Sequence, residues 1–433
     1  MLLHRRRAST SFLSAEGEED DENDLDPSQQ AVRKAVRDIC RPFQDDYWTE
    51  QERKQRFPIE MVRALASTGW LGICIPKVYG GKGLGLREAS VMMQTVAEVG
   101  GGGMAAASSV HMNIFGLEPV VRFGTEGQKR RFLPPLAAGL QRACFAVTEP
   151  DAGLDTLRIR SMALREGGNG EHDDIGYVLR GEKMWISAAQ GASRMLILVR
   201  TCSPIDGGGE ERGRRGADAL TLFYADVVSG RASGAISMSD IPRMGRAAVD
   251  SNAVRFEGWR VPAEDRIGEQ GKGFEIILSA INAERILIAS EALGLGRAAL
   301  RRAILHAPRL PSSSSSSSSH PAPVVGDFHP LHHHHELADS YVRLEAARLT
   351  IRHAASLYDA GYKDGVAANT AKYLAAEAAF EACRLAVSLL GSGSDSHVER
   401  YLREVMIPRI APVSREMICN YIAQRVLGLP KSY

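Results

Sequence analysis

The feature that most constrains the fold is a change of hydrophobic period, from helical to two-residue and back, along one chain. Residues 27–141 carry helical spacing: Val32, Val36 and Ile39 share one face and Met61, Ala64 and Leu65 another, with Gly69 and the Gly80-Gly81 turn as stops. From Arg142 to Trp259 the period falls to two, as in Met195–Val199 and Leu220–Tyr224. Beyond Gly273 long Ala- and Leu-rich stretches return, among them Leu337–Leu357 and Ala367–Leu390. The expected architecture is therefore α+β and mostly α. An N-terminal helical domain (27–141) precedes a central β-barrel-like domain (142–259), and a C-terminal helical bundle (260–433) follows.

Two segments interrupt this order. Residues 1–26 read as a disordered tail or a weak transit peptide, basic and hydroxyl-rich at Arg5–Ser11 and acidic from Glu16. Residues 308–335 combine a serine run, Ser312–Ser319, with a histidine cluster at His329 and His332–His335, and read as solvated linker with no metal role. The mixed charge, net +1 over 433 residues, disfavours a nucleic-acid role. No apolar run is long enough to span a bilayer. Six cysteines without paired spacing read as reduced, buried small side chains, and the loop 203–216 as a charged surface insertion.

Chemistry concentrates in two runs. Cys144–Asp155 is a strand that must turn at Pro150, where Ala152-Gly153 permits close backbone approach. Gly181–Ser187 reads as a second strand, with Lys183 and Trp185 on one face and Met184 and Ile186 on the other. A flat redox ring needs an aromatic or apolar wall together with hydroxyl and amide groups at its polar edge. Trp185 can supply the wall, and Thr148 and Ser187 the hydroxyls. On the next helix Glu284 has Ala280 and Ile281 one turn before and Leu287 and Ile288 one turn after, the setting of a carboxylate kept protonated by desolvation. Glu291 has similar neighbours, so pattern alone does not choose between them.

These runs resemble the acyl-CoA dehydrogenase family, and Arg243-Met244-Gly245, Val254–Pro262, Gly268–Phe274 and Glu284-Arg285 follow in the family's order. The resemblance covers nearly everything from Asp26 onward. It implies an FAD enzyme that forms an α,β double bond in an acyl-CoA thioester. Phe145, Val147, Thr148, Gly153, Trp185, Ile186 and Ser187 would meet the flavin, and Ser414 and Glu416 its nucleotide half. Leu154, Asn282 and Arg285 would meet the substrate. The family takes its base from a glutamate near the C-terminus or, in the long-chain and isovaleryl-type branches, from the glutamate of this Glu-Arg pair. Pro412 stands at the first position and cannot serve, so the resemblance assigns the proton to Glu284.

Departures accompany the match. Leu154 replaces a serine, Pro412 lacks an N–H that would polarise the thioester, and Pro308–Ser319 and Gly391–Ser396 replace stretches that reach a partner subunit's FAD. The expected partners are an acyl-CoA, an electron-transferring flavoprotein as acceptor, and further copies in a homodimer or homotetramer. A degenerate scaffold holding FAD weakly, or an acyl-CoA oxidase, are the alternatives. The compartment is expected to be mitochondrial or cytoplasmic, with the peroxisome open.

Overall fold

The computed structural model describes residues 24–115, 117–167, 174–202, 216–306, 330–362, 365–391 and 396–431. The serine run, His329 and most of the 391–396 segment lie outside them. Among the described residues seven helices come first: α1 (Pro27–Cys40), α2 (Asp45–Lys54), α3 (Ile59–Ser67), α4 (Leu86–Glu98), α5 (Gly103–Phe115), α6 (Glu118–Phe123) and α7 (Glu126–Ala137). The first begins as its sequence dictates: Asp26 caps the amide of Gln29, whose side chain returns to the Asp26 amide, and Pro27 occupies the first turn. Val32, Val36, Met61 and Leu65 are buried in one helical core, as their spacing requires.

The sheet that follows holds β1 (Ala143–Ala146), β2 (Met162–Gly167), β3 (Asp174–Ser187), β4 (Arg194–Cys202), β5 (Leu220–Asp226), β6 (Ile236–Asp240), β7 (Ser251–Pro262) and β8 (Arg266–Ile267), with α8 (Val227–Ala232) between β5 and β6. Their order is β6-β7-β3-β2-β4-β5-β8, and β1 lies parallel to β4. The expected barrel does not close. The edges are β6, whose side chains face mostly outward, and the two-residue β8, and neither meets the other. A strand of two residues is too short to complete a ring of ladder bonds. Both faces are nevertheless covered. Leu196, Leu198, Leu222 and Tyr224 pack toward the helices, while Met195, Ile197, Val199 and Phe223 build a separate core behind. The sheet also runs on past Trp259 to Ile267.

Among the described residues six further helices follow: α9 (Gly273–His306), α10 (Pro330–Asp359), α11 (Val366–Leu390), α12 (Ser396–Glu404), α13 (Met406–Ile410) and α14 (Arg415–Arg425). At 34 residues α9 is about 50 Å long and packs against α4, α5, α10 and α11. Two of its glycines set those approaches. A Cβ on Gly294 would sit 2.2 Å from the Gln94 carbonyl oxygen of α4, and one on Gly296 would sit 2.9 Å from the Ala379 Cα of α11. The alanines of α11 are the counterpart of this closeness: Ala371, Ala375, Ala379, Ala382 and Ala386 are all buried.

Two expectations change here. His333–His335 belong to the first turns of α10, not to a linker, because Pro330 opens the helix with a preset φ and no N–H to waste. No His, Cys, Asp and Glu group able to hold a metal occurs among the described residues. Cys40, Cys144 and Cys383 are free and buried, as expected, whereas Cys419 is free but exposed on α14. No described helix is long and apolar enough to cross a membrane.

Candidate active site

A cavity of about 650 Å³ opens where the sheet domain meets the two helical domains. Its helical wall comes from Ser108, His111 and Met112 of α5 and from Glu284, Ile288 and Glu291 of α9. These are spacings of three, four and seven, so each trio occupies one face of its helix. The opposite wall is the turn Thr148–Leu154, then Trp185 and Ser187, and the segment Pro242–Arg246. Met406, Ile407, Ile410 and Pro412 close the far side.

The sheet side is held by a buried ion pair. Lys183 Nζ, with no exposed surface, donates to Glu149 Oε1 at 2.9 Å and to the Val147 carbonyl at 2.9 Å. The same carboxylate accepts from the Arg160 and Ser161 amides at 2.7 and 3.0 Å. Burial pushes Lys183 down to about 8 despite the carboxylate. In Glu149 burial works in the opposite sense, yet Lys183 and the amides hold the carboxyl below its usual value. The pair ties the proline turn to the strand bearing the tryptophan, and the Met184 amide donates to the Thr148 carbonyl beside it at 2.9 Å.

This pair also corrects the expected facing of the strand. Lys183 points inward and Trp185 outward, because the β3–β7 register slips between Lys183 and Ile186, and Trp185 takes a left-handed backbone with φ 63°. The indole remains 53% exposed beside the cavity, an unusual position for the largest apolar side chain. Ile186 is buried in the sheet core on the far side of the bulge. Phe145 and Val147 are half-buried and pack into hydrophobic cores, so none of these three side chains lines the cavity.

On the helical side the two glutamates left equivalent by their patterns separate. Glu291 is fully buried and pairs through Oε1 with His111 Nδ1, while its Oε2 is buried without a partner. Burial opposes charging of His111, but the Glu291 carboxylate raises its pKa overall. Glu284 is 9% exposed, and no hydrogen bond holds its carboxyl among the described residues. Desolvation lifts its pKa to about 7, aided by Glu291 and opposed by His111, Arg285 and Lys372. Such a carboxyl is half-ionised near neutral pH, the condition that suits a general base.

Arg246 completes the polar rim. Its guanidinium donates to Ser187 Oγ at 3.1 Å, its Nε is buried without a partner, and its own φ is 61°. Thr148, Gly153, Leu154, Trp185, Ser187 and Glu284 therefore share one cavity. Arg285 does not line it: one residue on from Glu284, it turns about 100° round the helix and donates to Asn282 Oδ1 at 2.9 Å. Ser414 caps α14 by accepting from the Met417 amide, and Glu416 is exposed in that helix's first turn; neither lines the cavity. Sequence reasoning missed His111, Glu149 and Arg246. Only Glu149 left a signal, as an acid inside a run of small residues.

An exposed indole, two hydroxyls, a half-buried guanidinium and a proton-holding carboxyl around a cavity of this size fit an isoalloxazine and a reacting carbon chain. Fold and site together define a flavoprotein oxidoreductase of helix, sheet, helix construction. The family descriptions of the acyl-CoA dehydrogenase N-terminal, middle and C-terminal domains match residues 26–140, 144–259 and 271–427. The chain is 32% identical over 429 residues to the acyl-CoA dehydrogenase FadE12 of Mycobacterium tuberculosis, covering 98% of this chain and 99% of that one. This chain belongs to the acyl-CoA dehydrogenase family. Among solved structures it is similar to butyryl-CoA dehydrogenase from Megasphaera elsdenii, at 25% identity and a TM-score of 0.78, covering 93% of this chain and 99% of that one. Glutaryl-CoA dehydrogenase in complex with glutaryl-CoA aligns at 26% identity and 0.78, covering 94% and 97%. FAD is the cofactor, and the reaction class is oxidation at a CH–CH bond of an acyl-CoA.

Proposed function

We propose that Glu284 removes the α-proton of an acyl-CoA thioester in the cavity between α5, α9 and the Trp185 bulge. The bound FAD supplies the acceptor for the β-hydride, so that an α,β-unsaturated thioester leaves. Trp185 forms the wall for the ring, and the hydroxyls of Thr148 and Ser187 address its polar edge, the latter oriented by Arg246. The observation that carries the assignment is the state of Glu284: a buried carboxyl without a hydrogen bond, raised to about 7, in the cavity that Trp185 lines. Glu291 sits two turns away but is committed to His111. Met406, Ile407, Ile410 and Ile288 make the rest of the enclosure apolar and keep water from the proton during transfer.

Electron-transferring flavoprotein is the proposed acceptor, and a homodimer or homotetramer the proposed assembly. Anaerobic mixing of the FAD-loaded protein with acyl-CoAs of graded length tests the chemistry. Loss of the oxidised flavin absorbance is expected with at least one length, and its absence with the Glu284→Gln variant. Bleaching by that variant at the wild-type rate, or by no acyl-CoA at all, overturns the reading. Peroxide formed in air in step with turnover assigns the protein to the oxidases instead.

A further inference from the structure

The cavity beside Glu284 carries more polar chemistry than the removal of one proton uses. Along α9 its lining runs from Glu284 past Ile288 to Glu291, about 10 Å of helix, and α5 contributes Ser108, His111 and Met112. Two charged side chains of this lining keep a polar atom with nothing to bind. Glu291 pairs with His111 through Oε1, but its Oε2 is buried without a hydrogen-bond partner. Arg246 donates from Nη2 to Ser187 Oγ at 3.1 Å, while its Nε is buried and equally unpartnered. The two share one electrostatic neighbourhood. Burial weakens the Arg246 cation, and Glu291 is the first charge to restore it. No hydrogen bond or ion pair joins them among the described residues, so an acceptor and a donor of opposite charge stand close in one lining without meeting.

Such an arrangement is costly in a pocket meant for hydrocarbon alone. A buried polar atom without a partner keeps its full desolvation penalty, and an alkyl chain laid against it gives no relief. Nor do the helices need the pair to hold together. Ala107 and Val110 of α5 and Leu287 and Leu293 of α9 already belong to one apolar core, and a buried ion pair adds little that hydrocarbon packing would not. A hydroxyl satisfies both atoms at once, because it donates its proton to a carboxylate oxygen while accepting from a guanidinium N–H. Neither atom is itself exposed, so the hydroxyl reaches them as Met112, an unbranched and adaptable side chain of the same lining, shifts aside.

We propose that Glu291 and Arg246 select acyl chains bearing a hydroxyl group remote from the reacting carbons, held between Glu291 Oε2 and the Arg246 Nε–H. This selection rests on the cavity being the acyl site, not on Glu284 being the base. The distance along α9 corresponds to roughly eight carbon–carbon bonds of an extended chain, so the hydroxyl belongs in a chain of medium length.

Calorimetric titration of the FAD-loaded Glu284→Gln protein, which holds the ligand unreacted, tests the selection. The ligands are decanoyl-CoA and its monohydroxy derivatives, the hydroxyl placed at successive carbons from the middle of the chain to its end. One position is expected to bind at least about tenfold more tightly than the unsubstituted chain, and its neighbours less so. Adding Glu291→Met, which keeps the length and removes both oxygens, should abolish that preference while decanoyl-CoA binds as well as before or better. Glu291→Gln, which keeps the shape, and Arg246→Gln, which removes Nε, should each reduce it severalfold. Bleaching of the flavin by the Glu284→Gln protein would overturn the base and leave the affinity ratios standing as the test of selection. Equal affinity for decanoyl-CoA and every hydroxylated chain means that water alone occupies the gap and overturns the proposal. So does a preference that survives unchanged in Glu291→Gln and Arg246→Gln.

Discussion

Replacing Glu284 by glutamine should make the protein more stable at alkaline pH while abolishing its chemistry. The carboxyl rises from 4.5 to about 7, chiefly through desolvation. At 1.36 kcal/mol per unit this amounts to about 3 kcal/mol. The sign follows from which state binds the proton more tightly. Below pH 4.5 folded and unfolded chains both hold it, and the residue contributes nothing. Between 4.5 and 7 the unfolded chain ionises first, and stability is lost as pH rises. Above 7 the folded state bears a buried anion and the full penalty applies. Glutamine has the same shape and cannot ionise. Thermal unfolding of FAD-loaded wild type and Glu284→Gln across pH 5 to 8 should give nearly equal melting temperatures at pH 5. At pH 8 the variant should melt several degrees higher. Catalysis should fall by a factor of at least about 10² to 10⁴ in the same preparation. A difference that does not grow with pH, or a variant less stable at pH 8, refutes the claim that this carboxyl is buried and proton-holding.

In the wild type kcat/KM for a bleaching acyl-CoA should rise with pH through a midpoint near 7, as Glu284 deprotonates. Glu291→Gln withdraws the carboxylate that keeps His111 charged, and His111 lowers Glu284 more than Glu291 raises it, so this limb should move to higher pH; a limb that stays in place removes the pair from the electrostatics of the site. Lys183→Met leaves Glu149 buried and unpaired, a loss of about 3 to 5 kcal/mol, and should both lower the melting temperature and release FAD. A variant as stable as wild type shows the pair to be dispensable. Trp185→Ala takes away a side chain that the fold leaves half outside, so the melting temperature of the FAD-free protein should barely change while FAD affinity drops at least tenfold. Wild-type FAD retention in this variant would remove the indole from the cofactor wall.

How much of this was legible depends on the range over which each feature is encoded. Val32, Val36, Met61 and Leu65 are local statements, repeated every turn, and the structure buries all four. The strands at 195–199 and 220–224 are equally local and pair with each other, Ile197 opposite Phe223. Trp185 shows where locality fails. Strict alternation put Lys183 and Trp185 on one face, but a bulge is set by the partner strand, and the need of Lys183 for Glu149 turns the lysine inward. Openness of the sheet follows from how few residues β8 contributes, which a period-two pattern does not state. His111 and Glu291 stand 180 positions apart. No window on the sequence spans such a pair.

Glu284 and Glu291 make the physical point most sharply, because they share a helix, a stripe and a degree of burial. Two turns apart on α9, one is hydrogen-bonded to a histidine from α5 and the other only feels its charge, so a difference of about 10 Å decides whether a carboxylate is satisfied or strained in its protonation. A fold under selection for stability alone would replace the second with leucine, whose burial costs nothing and whose neighbours Ala280, Leu287 and Ile288 are already apolar. Instead the chain retains an acid with a penalty of about 3 kcal/mol beside an exposed indole and a left-handed backbone bulge. Three local misfits converging on one cavity are better explained by chemistry performed there than by three separate accidents of packing.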